Sequence, residues 1–224
     1  MLKLLIVEDN VNFVKSLINN IIGQDEKIKL VGIASNGIEA ISMIKVYKPD
    51  IILLDLQIPQ ISGTKILEKI ASKELDITPY IIVITGTLES IALIKNREYI
   101  YSFYTKPINP NVLANKINEI HSYNQETKIK SFINQELENY KFNNSSIAYK
   151  YLEIAIYMAI ENPNILKNME KDLFSKISKQ YNTKPINIKW SIEKLIQSSY
   201  KYTEEDMSTK NFINYLVNKY KKIS

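Results

Sequence analysis

Cysteine is absent from all 224 residues. Disulfides, thiolate metal sites and cysteine nucleophiles are excluded with it. Histidine occurs once, at His121, which removes most imidazole catalysis and zinc chemistry. Long apolar runs are scarce as well. After Met1 only six mostly apolar residues precede Glu8 and Asp9, too few for the core of a signal peptide. The longest apolar stretch, Ile147 to Ile160, is interrupted by Lys150 and Glu153 and falls short of a membrane span. These absences predict a cytoplasmic protein with no membrane contact.

What remains suits a folded chain. Hydrophobic residues make up 45%, enough for a packed core, and 224 residues allow one large domain or two small ones. Charge is divided unevenly. Residues 1–122 hold 13 basic and 13 acidic side chains, residues 123–224 hold 16 and 11, and the whole net charge of +5 therefore lies in the second half. A basic segment joined to a neutral one points to an acidic partner such as nucleic acid for the former.

The first half is arranged around Ile51 to Pro59, which reads I-I-L-L-D-L-Q-I-P. Four apolar residues end in Asp55, and Pro49 and Pro59 bound a run with the length of a buried strand rather than a helix. Similar runs at Leu2 to Val7, Ile28 to Ala34, Tyr80 to Thr85 and Tyr101 to Tyr104 predict four further strands. Between them the apolar residues recur at helical spacing. Asn10 caps a helix through Phe13, Leu17, Ile18 and Ile21, which Gly23 stops; Gly37 to Val46 turns Ile38, Ile41, Met43 and Ile44 inward. Ser62 or Gly63 opens a third helix through Ile66, Leu67 and Ile70, a short one passes through Leu88, Ile91 and Ile94, and Asn109 to His121 forms the last. Strands alternating with helices predict a doubly wound α/β domain with a five-stranded parallel sheet. In the strand order 2-1-3-4-5, Glu8, Asp9 and Asp55 converge outside the carboxyl ends of neighbouring strands, where open α/β sheets bind ligands. Three carboxylates in one crevice repel unless a cation holds them, and with oxygen ligands only, magnesium is the natural choice.

The ordered set Glu8-Asp9, Asp55 with Pro59 four residues on, Thr85-Gly86 thirty residues after Asp55, and Lys106-Pro107 resembles the receiver domain of two-component response regulators. The likeness covers residues 1 to about 122 and implies the flavodoxin-like sheet. It also implies that Asp55 accepts a phosphoryl group from a sensor histidine kinase, a phosphotransferase or a small phosphodonor. Asp9 and Asp55 would ligate magnesium, Glu8 would act largely through water and Gln57 through its backbone carbonyl. Lys106 and Thr85 would bind the phosphoryl oxygens, and the aromatic switch residue falls on Phe103, three residues before Lys106. Phe103 lacks the hydroxyl of the commoner tyrosine, and Tyr104 beside it belongs on the opposite face of the strand.

Residues 123–130 form a short polar connection without glycine or proline, and beyond it strands disappear. Phe132, Leu137 and Phe142 predict a first helix of a domain spanning 131–224, and Asn143 to Ser146 a capping loop. Ile147 to Ile160 is apolar nearly all round, the pattern of a helix central to a small bundle. Pro163 breaks it. Leu173, Ile177 and Tyr181 line a further helix, N-T-K-P makes a turn, Pro185 begins a helix with Ile188, Ile192 and Leu195 inward, and Phe212, Leu216 and Tyr220 mark the last. Two short helices joined by a tight turn are compatible with a helix-turn-helix. The outer face of its second helix presents Asn187, Lys189, Trp190, Glu193, Lys194 and Gln197.

The run D-L-F-S-K-I-S-K-Q-Y-N-T-K-P-I-N-I-K-W-S-I-E-K-L-I resembles the effector domain of the stage-zero sporulation response regulators. That all-helical domain binds DNA through a helix-turn-helix corresponding to about Leu173 to Ser199. The family's recognition helix is rich in arginine, whereas the one arginine here is Arg97, in the first half. Bidentate arginine to guanine is the commonest specific base contact. Specificity must therefore come from Asn187, Lys189, Lys194 or apolar contact by Trp190.

The expected function is a phosphorylation-activated transcription regulator that dimerises through its receiver and binds DNA. It is not a stand-alone enzyme: outside the receiver's own magnesium-dependent aspartyl phosphorylation and dephosphorylation, no catalytic constellation exists. The alternative is a phospho-regulated protein-interaction or antagonist module in which Trp190 and the tyrosines meet a partner protein.

Overall fold

The computed structural model describes residues 1–21, 27–87, 90, 92, 94–199 and 208–223. They pack as two compact units, Met1–Tyr123 and Asn124–Ser224.

In the first unit the strands are β1 (Leu2–Val7), β2 (Ile28–Ala34), β3 (Ile51–Asp55), β4 (Tyr80–Thr85) and β5 (Ile100–Thr105). They form one parallel sheet in the order β2-β1-β3-β4-β5. β3 is central and buried at all five positions, as its unbroken apolar run requires. Register sets the site: Val7 pairs with Leu54, Asp55 with Ile84, and Thr85 with Thr105, so the polar residues ending β1, β3, β4 and β5 share one rim.

Helices α1 (Val11–Ile21), α2 (Gly37–Tyr47) and α3 (Gly63–Ala71) start where short polar side chains cap them. Asn10 Oδ1 accepts from Asn12 and Phe13 N–H at 3.1 Å, Asn36 caps α2 through Ile38 and Glu39 N–H, and Ser62 Oγ accepts from Lys65 N–H. One apolar layer joins β-sheet residues such as Leu5, Ile52 and Val83 to α2 and α3; the other joins Leu4, Leu53 and Ile82 to α1 and the helix after β5.

The inward face of α2 differs from the expected one. Ile38 is 56% exposed, and the buried residues are Gly37, Ala40 and Ile44, three and four residues apart, with Ile41 and Met43 at the margin. Of the helix expected through Leu88, Ile91 and Ile94, Leu88 and Ile91 lie outside the described residues, while Ile94 is buried.

The helix following β5, α4, runs from Pro110 to Glu138 without a break. Residues 122–130, expected as a connection, are helical, and Phe132 and Leu137 belong to this same helix; Phe142 lies beyond its end, after a left-handed turn at Lys141. Nothing in 122–130 interrupts a helix, because glycine and proline are both missing there.

The second unit continues with α5 (Ile147–Glu161), a 3-10 segment (Pro163–Asn168), a π-helical segment (Met169–Phe174) leading into α6 (Ser175–Gln180), α7 (Pro185–Gln197) and α8 (Thr209–Ile223). Ser146 Oγ caps α5 by accepting from Tyr149 N–H at 3.1 Å. Leu152, Ala155, Ile156 and Ala159 of α5 are fully buried among Leu173, Ile177, Ile188, Ile192, Phe212 and Leu216 from the surrounding helices. Glu136, nearly buried, is held by Lys219 Nζ at 2.6 Å. Among the described residues no helix is long and apolar enough to cross a membrane.

Candidate functional site

At the rim of the sheet the backbone turns away after each apolar strand, which leaves the polar residue at each turn over the crevice. Glu8 and Asp55 are buried and Asp9 is exposed; one carboxylate oxygen from each lies within 4.8 Å of the others. Lys106 Nζ bridges Glu8 and Asp55. It donates to Glu8 Oε1 and Oε2 at 2.8 and 2.7 Å and to Asp55 Oδ2 at 2.6 Å, and it lies 4.9 Å from the centre of the Phe13 ring. Asp55 Oδ1 accepts from Gln57 N–H at 2.9 Å, and Glu8 Oε1 from Asn10 N–H at 3.2 Å.

These contacts set the ionisation of the bridge. Burial opposes the charge on Lys106, but the hydrogen bonds it donates to Asp55 and Glu8, with their negative charge, outweigh it and raise its pKa above the ordinary lysine value. Burial also raises the Glu8 carboxyl above its ordinary range, against the opposing hydrogen bond and charge of Lys106. With three carboxylates clustered and one amine contacting two of them, the crevice keeps an excess of oxygen donors. Such a set suits a hard divalent cation, which takes carboxylate and carbonyl oxygen.

Thr85 ends β4 with its side chain fully buried and Oγ1 without a hydrogen-bond partner among the described residues. Its carbonyl accepts from Lys106 N–H at 2.8 Å, so the threonine and the lysine are tied through backbone. Phe103 stands apart. On β5 Tyr101, Phe103 and Thr105 face outward while Ile100, Ser102 and Tyr104 are half-buried, and Phe103 is 54% exposed. Tyr104 packs in the opposite apolar layer, as strand alternation predicts.

Two contributors lie outside the expected site residues. Phe13 gives Lys106 an aromatic face, although its position three residues after the Asn10 cap marks only a core residue. Gly63 was legible only as a helix opener. A Cβ there would collide with the Asp55 carbonyl oxygen, and Gly63 N–H donates to Leu56 O at 3.1 Å. The helix thus starts directly against the acceptor strand.

In the second unit α6 and α7 are joined by Tyr181 to Lys184. Asn182 adopts the left-handed conformation that asparagine tolerates, and Thr183 N–H donates to Ser178 O at 3.0 Å. Pro185 occupies the first turn of α7, where its missing N–H costs nothing. Ile188, Ile192, Leu195 and, beyond expectation, Ile196 face the core. Asn187, Trp190 and Lys194 are exposed, whereas Lys189 is half-buried and 3.6 Å from Glu170. Trp190 is 61% exposed and Ile186, one turn before it, 38%.

Residues 4–118 match the profile of the response regulator receiver domain, and residues 133–223 match that of the sporulation initiation factor Spo0A C terminal domain. A curated relative, protein-glutamate methylesterase/protein-glutamine glutaminase 1 of Methanospirillum hungatei JF-1, is 34% identical over 86 residues. That match takes in 38% of this chain and only 24% of the relative, so the chain spans about a quarter of its length. Among solved structures, the response regulator domain of Thermotoga maritima CheB is 26% identical and covers 55% of this chain and 95% of its own, with a TM-score of 0.46. A response regulator receiver domain protein (CheY-like) from Methanospirillum hungatei JF-1 is 24% identical over 57% of this chain and 98% of its own, with a TM-score of 0.48. Neither matched profile is that of an enzyme family. Two profiles in succession leave few residues unaccounted for, and the chain belongs to the response regulators, joining a receiver domain to a sporulation-initiation-factor C-terminal domain.

Proposed function

We propose that the protein is a cytoplasmic, phosphorylation-switched transcription regulator. The observation that carries this reading is the meeting of Lys106 with Asp55 and Glu8 beside Asp9, in a chain whose second part matches a sporulation-factor domain. In the proposed reaction an Asp55 carboxylate oxygen attacks the phosphorus of a phosphohistidine on a sensor kinase or phosphotransferase, or of a small phosphodonor. The new O–P bond forms as the donor's N–P or O–P bond breaks, and the donor departs with the electron pair. Phosphoryl transfer requires positioning and charge neutralisation more than acid-base catalysis. Lys106 supplies a fixed positive charge at the accepting carboxylate. Glu8, Asp9, Asp55 and the Gln57 carbonyl would hold Mg2+, which when bound neutralises phosphoryl oxygens. Asp9 is the exposed member, placed to lose water and gain the ion at low cost.

After transfer, the acceptor oxygens of the aspartyl phosphate give the orphaned Thr85 hydroxyl a partner. A charge-assisted hydrogen bond of this kind contributes roughly 1.5 to 3 kcal/mol, which shifts a two-state equilibrium about tenfold or more. Phe103, now outward, would follow Thr85 inward, and pairing of receivers would bring two effector domains onto adjacent DNA sites. Asn187, Lys189, Trp190 and Lys194 would form the DNA face. The test is electrophoretic DNA binding by wild type and Asp55→Asn with and without acetyl phosphate and Mg2+. Wild type alone should gain affinity on phosphorylation; equal, donor-independent affinity of both proteins removes the switch.

A further inference from the structure

The outer face of α7 exposes two apolar side chains in its first half, and the helix carries no arginine. Ile186 and Trp190 are one helical turn apart, hence side by side, and both are exposed in the first half of the helix. That half is the part of a helix-turn-helix recognition helix that meets base edges. Asn187 lies next to both, and its Nδ2 donates to Thr183 Oγ1 at 3.1 Å, which turns the amide along the start of the helix. Residues 175–197 otherwise carry five lysines and one carboxylate, Glu193. An apolar pair within a cationic surround fits a ligand that is anionic outside and apolar at the point of contact. The major groove of A·T-rich duplex has this character: phosphates line it, and each thymine presents a C5-methyl group.

We infer that α7 reads A·T pairs, with Ile186 and Trp190 packing on thymine methyls and Asn187 pairing with the N6 and N7 edge of a neighbouring adenine. This deepens the DNA-binding reading and rests on it. Lysines then supply phosphate contacts that are blind to sequence, and sequence is read by a methyl group that cytosine and uracil lack. The same contact separates DNA from RNA. Lys189 contributes less than its neighbours, because Glu170 stands 3.6 Å away and competes with phosphate for it.

The experiment uses the full chain, phosphorylated with acetyl phosphate and Mg2+, to select sites from a random-sequence duplex library. Each thymine of the recovered site is then replaced singly by deoxyuridine, which removes one methyl group and leaves base pairing intact. Affinity should fall about fourfold at each contacted thymine, the equivalent of one buried methylene. In Trp190→Ala and Ile186→Ala, each checked for native helix content by circular dichroism, that discrimination should disappear at one thymine each. Restoring the methyl as 5-methylcytosine opposite guanine should recover part of the apolar contact for wild type only. Enrichment of a site with no deoxyuridine effect at any thymine, or the same fourfold loss in wild type and both variants, overturns the inference while leaving DNA binding in place. Failure to enrich any sequence overturns the DNA-binding reading and this inference together. A Trp190→Ala protein that keeps full discrimination but loses a co-purifying protein assigns the tryptophan to a protein contact instead.

Discussion

Thr85 Oγ1 is buried without a partner among the described residues, and such a hydroxyl lowers the stability of the resting protein. Thr85→Val keeps the shape and removes the orphaned group. Its urea midpoint should rise by the equivalent of about 1 kcal/mol, while acetyl phosphate no longer improves DNA binding. Glu8 makes a second prediction at this scale. Its carboxyl is held above the unfolded value of 4.5, chiefly by burial, so its proton is bound more tightly folded than unfolded. Stability from this group is therefore complete below 4.5 and is lost as pH rises through the higher folded value. Glu8→Gln does not titrate, so its stability relative to wild type should increase from pH 4.5 towards neutrality; denaturant curves at several pH values measure it. A constant difference would contradict the burial of that carboxyl. These residues were legible because each ends an apolar run with a polar group. Phe13 and Ile186 were not, since an aromatic or aliphatic side chain at helical spacing looks the same whether it packs a core, faces a lysine or meets a ligand.

At the scale of elements, strands were easier to bound than helices. β1 to β4 match their apolar runs to the residue: Glu8 follows β1, Asp55 ends β3 and Gly86 follows β4, while β2 runs through Lys29 and Gly32 and stops before the polar pair Ser35 and Asn36. α4 outlasts its expected end at His121 by 17 residues, to Glu138. Its polar middle carries no stop signal, and a helix continues where nothing breaks it. Ile38 shows the opposite fault. A run of apolar residues in α2 leaves the inward face undetermined until Gly37 is pressed against the Ile61 backbone, which turns Ile38 to solvent. α5 gives the sharpest energetic test. Ser146 caps it, and Ser146→Ala should lower the stability of the second unit by about 1 kcal/mol, read as a shift in the unfolding of the Trp190 fluorescence probe. No shift would place the stability of α5 wholly in the packing of Leu152, Ala155 and Ile156.

For the whole molecule, the charge division noted in the sequence becomes a statement about affinity. Binding to DNA releases counterions in proportion to the phosphates neutralised. Lys189→Ala with Lys194→Ala should weaken binding to all sequences alike and lower the slope of log affinity against log salt by less than about 2, since Glu170 already occupies part of Lys189. An unchanged slope would move the DNA face away from α7. The receiver could be read from sequence because its chemistry lies in residue types at strand ends. The outer face of α7 was legible too, because Ile188, Ile192 and Leu195 recur at helical spacing and leave Asn187, Trp190 and Lys194 outside; the spacing did not give the burial of Ile196 or the approach of Lys189 to Glu170.

The approach of Gly37 and Gly63 to backbone has one more consequence. A Cβ on Gly37 would run into the Ile61 carbonyl and one on Gly63 into that of Asp55, while Gly37 N–H donates to Pro59 O at 3.1 Å. Neither glycine has positive φ, so each is there for clearance alone. The segment from Asp55 to Gly63 is thus clamped at both ends by contacts with no room for a side chain. Single substitutions at either end cannot be absorbed by a rotamer change, and drift towards a differently shaped acceptor loop would have to move two backbones at once.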